Sequence, residues 1–127
     1  MLKATNTPNA PAAIGPYSQA IRYGDILFTS GQIPLDPKTG EVVGADITAQ
    51  AKQVMENLVA VLAANEIGCG QVIKTTCFLA DMADFAAFNE VYSAYFTQDP
   101  KPARSCVAVR TLPKGVLCEV EAIACVK

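Results

Sequence analysis

The fold is decided by residues 118–124 (CEVEAIA), in which apolar and other side chains alternate. A period of two is typical of a β-strand, whose successive side chains point to opposite faces of a sheet. Glu119, Glu121 and Ile123 should share one face. The opposite, apolar set should pack against helices, and it consists of Cys118, Val120, Ala122 and Ala124.

Further strands are predicted on the N-terminal side of this stretch. Residues 1–24 are rich in Pro, Ala and Asn, so we expect a loop that leads into a short strand near 18–22. Segments rich in β-branched and aromatic residues predict three more strands, and they cover residues 25–33, 71–79 and 105–109. The strand that contains residues 118–124 is predicted to extend over 116–126.

Two amphipathic helices separate these strands. Asp46 is a suitable N-cap, and Gly68 is expected to end the first helix. Its apolar stripe recurs at steps of three and four: Ile47, Ala51, Val54, Leu58, Val61 and Leu62. Asp81 or Asp84 should cap the second helix. The stripe of that helix is Phe85, Phe88, Val91, Tyr92, Tyr95 and Phe96.

This order of elements predicts an α+β fold, a two-layer mixed β-sheet with two helices packed on one face. The length of 127 residues suits one domain, residues 1–127. Hydrophobic residues make up 51% of the chain, which is enough to fill a core between the two layers.

Composition excludes several classes of chemistry. The chain has no histidine, so Ser-His-Asp triads, Cys-His pairs and HExxH metal sites are all impossible. Five cysteines occur without a CxxC spacing, which favours reduced thiols over disulfides or zinc. We expect no metal and no cofactor.

Charge and hydropathy predict the cellular location of the protein and argue against nucleic acid and membranes as partners. The net charge is −2, and no basic stripe is present that could follow a phosphate backbone, so nucleic acid is an unlikely partner. The N-terminus lacks the apolar core of a signal peptide, and no apolar run could span a bilayer. These features predict a cytoplasmic protein.

A candidate site follows from the alternation in the strand before 118–124. Its more apolar set is Ser105, Val107 and Val109. If that set faces the helices, Arg104 and Cys106 lie on the outer face together with Glu119. A guanidinium and a carboxylate on one uncovered face could form a site, and another subunit often covers such a mixed surface.

Four motifs then stand in a characteristic order: residues 13–20 (AIGPYSQA), 28–34 (FTSGQIP), 102–107 (PARSCV) and 119–124 (EVEAIA). Together they resemble the RidA family, also called YjgF/YER057c/UK114, over nearly the whole chain. The resemblance implies a chorismate-mutase-like fold and a homotrimer. The sheets of such a trimer line a central barrel, and three clefts lie between neighbouring subunits.

The resemblance also implies an activity, the hydrolytic deamination of enamine and imine intermediates such as 2-aminoacrylate and 2-iminobutyrate. The products are 2-keto acids and ammonia. Arg104 would hold the substrate carboxylate, and Glu119 would position or activate water. The cleft would be lined by Tyr17, Ser30, Gly31, Asn89 and the backbone of Cys106. The loop 97–102 looks shorter than in many relatives. This loop would form part of the rim of the cleft, so its length affects the range of substrates more than the core reaction.

Other interpretations of the same residues stay open at this point. Arg104 and Glu119 could form a structural cross-strand ion pair. Cys106 could be a small buried hydrophobe, and Tyr17 could merely anchor a loop. A trimer that binds small carboxylates such as 2-keto acids without turnover would use the same arginine. An RNA-directed role is disfavoured by the acidic balance and the missing histidine.

Overall fold

Six strands and two α-helices make up the computed structural model, which describes all 127 residues. The strands are β1 (Leu2–Ala4), β2 (Ala20–Tyr23), β3 (Ile26–Thr29), β4 (Val72–Leu79), β5 (Ala103–Ala108) and β6 (Cys118–Cys125). The helices are α1 (Ile47–Ala63) and α2 (Phe85–Tyr95). All strands join one sheet in the order β1-β2-β3-β6-β4-β5.

The sheet is mixed because one pair of neighbours, β4 and β5, runs parallel while the others are antiparallel. A parallel pair needs a long crossover, and α2 supplies it. The pairing sets Thr75 beside Arg104 and Cys77 beside Cys106. This register decides which side chains of β5 face α2.

The core lies between the sheet and the two helices. Along β6, buried and half-buried residues alternate strictly, and Val120 and Ala124 are fully enclosed. The apolar set of 118–124 belongs to this core together with the stripe of α1. The predicted α+β fold, one mixed sheet with two helices on one face, is confirmed. No helix combines the length and the apolar character needed to cross a bilayer.

Helix α1 begins at its predicted cap but ends earlier than predicted. The Asp46 carboxylate accepts a 2.9 Å hydrogen bond from the Ala49 amide, as predicted. The predicted end at Gly68 is wrong, since α1 ends at Ala63. Its last carbonyls are satisfied by the amides of the following turn, which Glu66 allows by adopting a φ of 60°.

The second helix is preceded by a short 3₁₀ turn at Met82–Asp84. Asp81 caps this turn by accepting a 2.9 Å hydrogen bond from the Ala83 amide, whereas Asp84 makes no capping bond. Strand β1 was missed by the sequence analysis because its three exposed residues carry no alternating pattern. It pairs with β2 in antiparallel register.

The face of the sheet away from the helices is uncovered in the single chain. Its apolar side chains include Phe28, which is 48% exposed, and Val107, which is 46% exposed. Between them lie Phe78 and Ile123, which are half-buried. A surface of this kind is typical of a contact with another protein surface.

Candidate active site

Arg104 lies on the edge strand β5 and points toward α2. Its in-register neighbour Thr75 is fully buried beneath the helices, and in-register neighbours point to the same side of a sheet. The Nη1 group of Arg104 donates a 2.6 Å hydrogen bond to Oδ1 of Asn89. The guanidinium is therefore tethered to the helix although the side chain is exposed.

Two aromatic rings of α2 support the guanidinium. Its Cζ lies 4.7 Å from the ring centroid of Tyr92 and 5.5 Å from that of Phe85. Both distances fall within the roughly 6 Å over which a cation is attracted to a ring face. The Asn89 bond uses one of five N–H donors, so the Nε–Nη2 edge can still bind a carboxylate through two parallel hydrogen bonds.

A cavity of about 380 Å³ opens beside this guanidinium. Its walls are Asn89, Tyr92, Ser93, Phe96, Lys101, Pro102 and Arg104. Two of these residues are cationic and none is acidic, so the cavity favours an anionic ligand.

Glu119 lies on β6 and points to the other face of the sheet, beside Phe78 of β4. Its side chain crosses directly over Gly31. A methyl group added at Gly31 would overlap the carboxylate of Glu119, while the backbone of Gly31 is ordinary. Glycine is therefore required here for the close approach of a side chain rather than for an unusual φ.

A second cavity, of about 530 Å³, surrounds the Glu119 carboxylate. Tyr17, Ser30 and Gly31 line it together with Glu119. Lys114 also lines it, from a turn in which this lysine adopts a left-handed φ of 56°. A non-glycine residue in that conformation is uncommon and is found more often at functional sites.

The wall that carries Tyr17 is fixed by the buried side chain of Gln19. Its amide nitrogen donates to the carbonyls of Thr7 and Pro11 at 3.0 and 2.9 Å, and its oxygen accepts from the Thr7 amide at 2.7 Å. The Ser30 hydroxyl donates to the Ser18 carbonyl at 2.5 Å. The Pro-rich N-terminal segment is thus held against the rim of the Glu119 cavity.

Burial raises the pKa of Glu119 above its ordinary value, and the neighbouring charge of Glu121 raises it further. No salt bridge of the subunit includes either carboxylate. A carboxyl group with a raised pKa accepts and returns protons nearer to neutral pH, which suits a general base.

The thiol of Cys106 shares the helix-facing side of β5 with Arg104 and packs on the core. Burial raises its pKa, and the Arg104 charge opposes this only in part. A neutral thiol is a weak nucleophile, so the side chain is poorly suited to covalent chemistry. Nowhere in the chain do three His, Cys, Asp or Glu side chains converge so as to hold a metal ion.

The prediction that Arg104 and Cys106 share a face with Glu119 is wrong. Both lie on the helix face, and Val107 lies on the open face instead. The prediction assumed that the more apolar side chains of β5 face the helices. This assumption fails because β5 is an edge strand that the helices cover only in part, so its helix-facing side remains accessible to a polar side chain such as that of Arg104. Arg104 and Glu119 therefore belong to two separate cavities of the chain, and Asn89 lines the cavity of Arg104.

Comparison with known proteins gives this arrangement a context. Residues 7–126 match the model of a protein family described as Endoribonuclease L-PSP, the RidA/YjgF family. The chain belongs to this family. The resemblance inferred from the four motifs is thereby confirmed.

Several relatives of this RidA-family chain align over almost its whole length. The 2-iminobutanoate/2-iminopropanoate deaminase of Escherichia coli K12 is 52% identical over 126 residues, which cover 98% of each chain. The RutC family protein of Pyrococcus horikoshii is 58% identical over 118 residues, 93% of each chain.

Solved structures agree with the fold. The crystal structure of Escherichia coli TdcF with bound serine has a TM-score of 0.92 and 48% identity, and the match covers 97% of this chain and 98% of that one. The Rid-family protein YyfA of Yersinia pestis has a TM-score of 0.96 and 45% identity, over 98% and 99% of the two chains.

Three features of the site were missed by the sequence analysis. Phe85 and Tyr92 were predicted only as members of an apolar stripe, and their place beside Asn89 and Arg104 was not foreseen. The spacing of four and three residues between Phe85, Asn89 and Tyr92 puts all three on one helix face, a pattern that was available in the sequence. The backbone of Lys114 and the clamp formed by Gln19 depend on long-range contacts that no local pattern indicates.

The electrostatic environment of Glu119 can be tested by titration. Glu121→Gln removes the neighbouring negative charge, so the ionised form of Glu119 becomes easier to reach and its pKa should fall. Carbon-13 NMR of the glutamate carboxyl groups measures this directly. Glu41→Gln, in an exposed turn, is the matched control and should leave Glu119 unchanged. An unaltered Glu119 titration in Glu121→Gln would contradict the assignment.

Proposed function

We propose that this RidA-family chain hydrolyses small 2-imino acids, such as 2-iminobutanoate, to 2-oxo acids and ammonia. The observation that carries the proposal is the supported guanidinium of Arg104, whose free edge matches a carboxylate. The 52% identity to an imine deaminase over 98% of both chains supports the same reaction. The reaction requires no cofactor and suits a chain without histidine.

The chemistry divides between the two cavities. Arg104 binds the substrate carboxylate, and Glu119 takes a proton from water as the water oxygen attacks the imine carbon. The C=N electron pair moves to nitrogen, which receives that proton from Glu119, and a carbinolamine forms. Glu119 then takes the hydroxyl proton as the C=O bond forms and passes it to nitrogen as the C–N bond breaks. The products are ammonia and the 2-oxo acid, so one water molecule is consumed for each ammonia formed.

The two cavities lie on opposite faces of one sheet, so we propose that the complete site is shared between subunits of a homotrimer. The Arg104 cavity of one subunit would meet the Glu119 cavity of its neighbour. The uncovered face that carries Phe28, Val107 and Tyr23 offers the apolar area that such an assembly would bury. Tyr17, Ser30 and Gly31 would line the shared cleft with Glu119, and Asn89 and the Cys106 backbone would line it with Arg104.

Two further parts of the proposal concern location and nucleic acid. All five cysteines are free thiols, which suits the reducing cytoplasm. The family description names an endoribonuclease, but a net charge of −2 gives this chain little attraction for a phosphate backbone. We therefore favour the imine substrate over RNA.

A coupled assay tests the reaction. A threonine dehydratase supplies 2-iminobutanoate, and the release of ammonia and 2-oxobutanoate is followed with and without the protein. We expect faster imine loss with the wild-type protein. Arg104→Ala should lower kcat/KM by about 10²–10⁴-fold because two charged hydrogen bonds are lost. Glu119→Gln should lower kcat by about 10²–10⁴-fold.

The pH profile separates the roles of these residues. In the wild-type protein kcat/KM should fall toward acid as Glu119 takes up a proton, and this limb should vanish in Glu119→Gln. Binding of 2-oxobutanoate without any release of ammonia would show that the protein is a non-catalytic carboxylate binder and would contradict the proposed enzyme activity.

Gly31 gives a test of geometry rather than of chemistry. In Gly31→Ala the new methyl group overlaps the Glu119 carboxylate and displaces it. A displacement of about 1 Å can cost roughly 10²-fold in rate, so kcat should fall by that order while the fold persists. Gly68→Ala is the matched control because no atom lies within 4 Å of its new Cβ. Gly31→Ala with wild-type kcat would show that the carboxylate need not lie over Gly31.

A further inference from the structure

Tyr92 connects the buried core to the guanidinium of Arg104. Its hydroxyl lies 2.7 Å from the hydroxyl of Thr75, and the two share a hydrogen bond. Thr75 is fully buried on β4, and Tyr92 is only 7% exposed. The phenol is thus fixed at its far end to the same strand that pairs with Arg104.

The ring of Tyr92 is also held along its sides. The ring centroid of Phe96 lies 4.6 Å away at an interplanar angle of 36°, and that of Phe88 lies 5.9 Å away at 34°. A ring fixed by neighbours and by its hydroxyl cannot turn to follow a moving guanidinium. The ring therefore offers a fixed face to the guanidinium, whose Cζ lies over it at 4.7 Å from the centroid.

We propose that Tyr92 is a positioning residue for substrate binding: its ring, anchored by Thr75, sets the plane of the Arg104 guanidinium, while Asn89 sets the rotation of the guanidinium within that plane. The inference rests on the proposed function insofar as Arg104 binds the substrate carboxylate. Arg104 occupies an exposed edge strand, where a long side chain would otherwise sample many rotamers. Ordering it before the ligand arrives favours tight binding of a planar carboxylate.

The hydroxyl of Tyr92 serves this role as a neutral group. Burial raises the pKa of Tyr92, with the Thr75 hydrogen bond opposing the shift, so the phenol keeps its proton at neutral pH. A neutral phenol adds no charge that would compete with the substrate for Arg104. Tyr92 can therefore tune binding without taking part in proton transfer.

The experiment measures ligand affinity and steady-state kinetics in the same variants. Calorimetry gives Kd for 2-oxobutanoate, and the coupled assay gives KM and kcat for 2-iminobutanoate. Tyr92→Leu removes the ring face, so Kd and KM should rise roughly tenfold while kcat changes by less than about threefold. Tyr92→Phe and Thr75→Val keep the ring but break its anchor, and each should raise Kd and KM about threefold.

Leu27→Ala is the matched control for loss of core packing. Leu27 is fully buried on β3, which is separated from β5 by β6 and β4. This variant should lower the melting temperature while leaving Kd and KM within about twofold of wild type. A purely structural Tyr92 would behave like Leu27, losing stability and active fraction without a change in Kd.

A double-mutant cycle with Arg104→Lys makes the test specific. A lysine cannot present a planar guanidinium to the ring, so Tyr92→Leu should have a much smaller effect on Kd in that background. Equal effects of Tyr92→Leu in both backgrounds, or unchanged Kd and KM in the single variants, would overturn the role of Tyr92. If Tyr92→Leu does not fold, Tyr92→Phe and Thr75→Val decide the question.

Failure of this inference and failure of the deaminase proposal give different results. A wild-type protein that binds 2-oxobutanoate but releases no ammonia would sink the deaminase and leave the Kd test of Tyr92 intact. A wild-type protein with no affinity for 2-oxobutanoate or 2-iminobutanoate would overturn both the carboxylate role of Arg104 and the positioning role of Tyr92.

Discussion

The parallel pairing of β5 with β4 fixes the direction of the Arg104 side chain. Thr75 faces the helices, and Arg104 lies in register with it, so the guanidinium must also emerge on the helix side. On β6, Val120 fills the core, so its neighbour Glu119 must emerge on the open side. Because side chains alternate along a β-strand, the thickness of the sheet separates the guanidinium of Arg104 from the carboxylate of Glu119 in the same chain.

The two halves of the proposed site are preorganised by different means. The guanidinium is supported by the rings of Tyr92 and Phe85 and by the Asn89 amide, which leaves an edge free for an anion. The carboxylate instead lies over Gly31, where partial burial and the charge of Glu121 raise its pKa. Arg104 thus presents a positive charge in a fixed position, and Glu119 can accept and release a proton near neutral pH. Imine hydrolysis needs both properties at one carbon atom.

Local patterns in the sequence were sufficient for the fold because each major element carries its own period. The alternation in 118–124 and the stripe after Asp46 both agree with the buried side chains of the structure. The same reasoning failed at β5, where Val107 is exposed on an edge strand and Arg104 turns toward α2. The face to which each side chain of an edge strand points depends on the register of that strand with its neighbour. The register with a strand that is distant in sequence cannot be inferred from local composition. The end of α1 was misplaced for a related reason, since Glu66 took the left-handed conformation expected of a glycine.

The central claim is that Arg104 of one subunit works with Glu119 of another, and subunit complementation tests it most directly. Arg104→Ala and Glu119→Gln subunits, each inactive alone, are denatured together in equal amounts and refolded into mixed oligomers. In a trimer with sites between neighbours, about a quarter of the sites should recover both native residues, and activity should return to about a quarter of the wild-type value. Mixed oligomers with no more activity than the two parent variants would contradict a site shared between subunits.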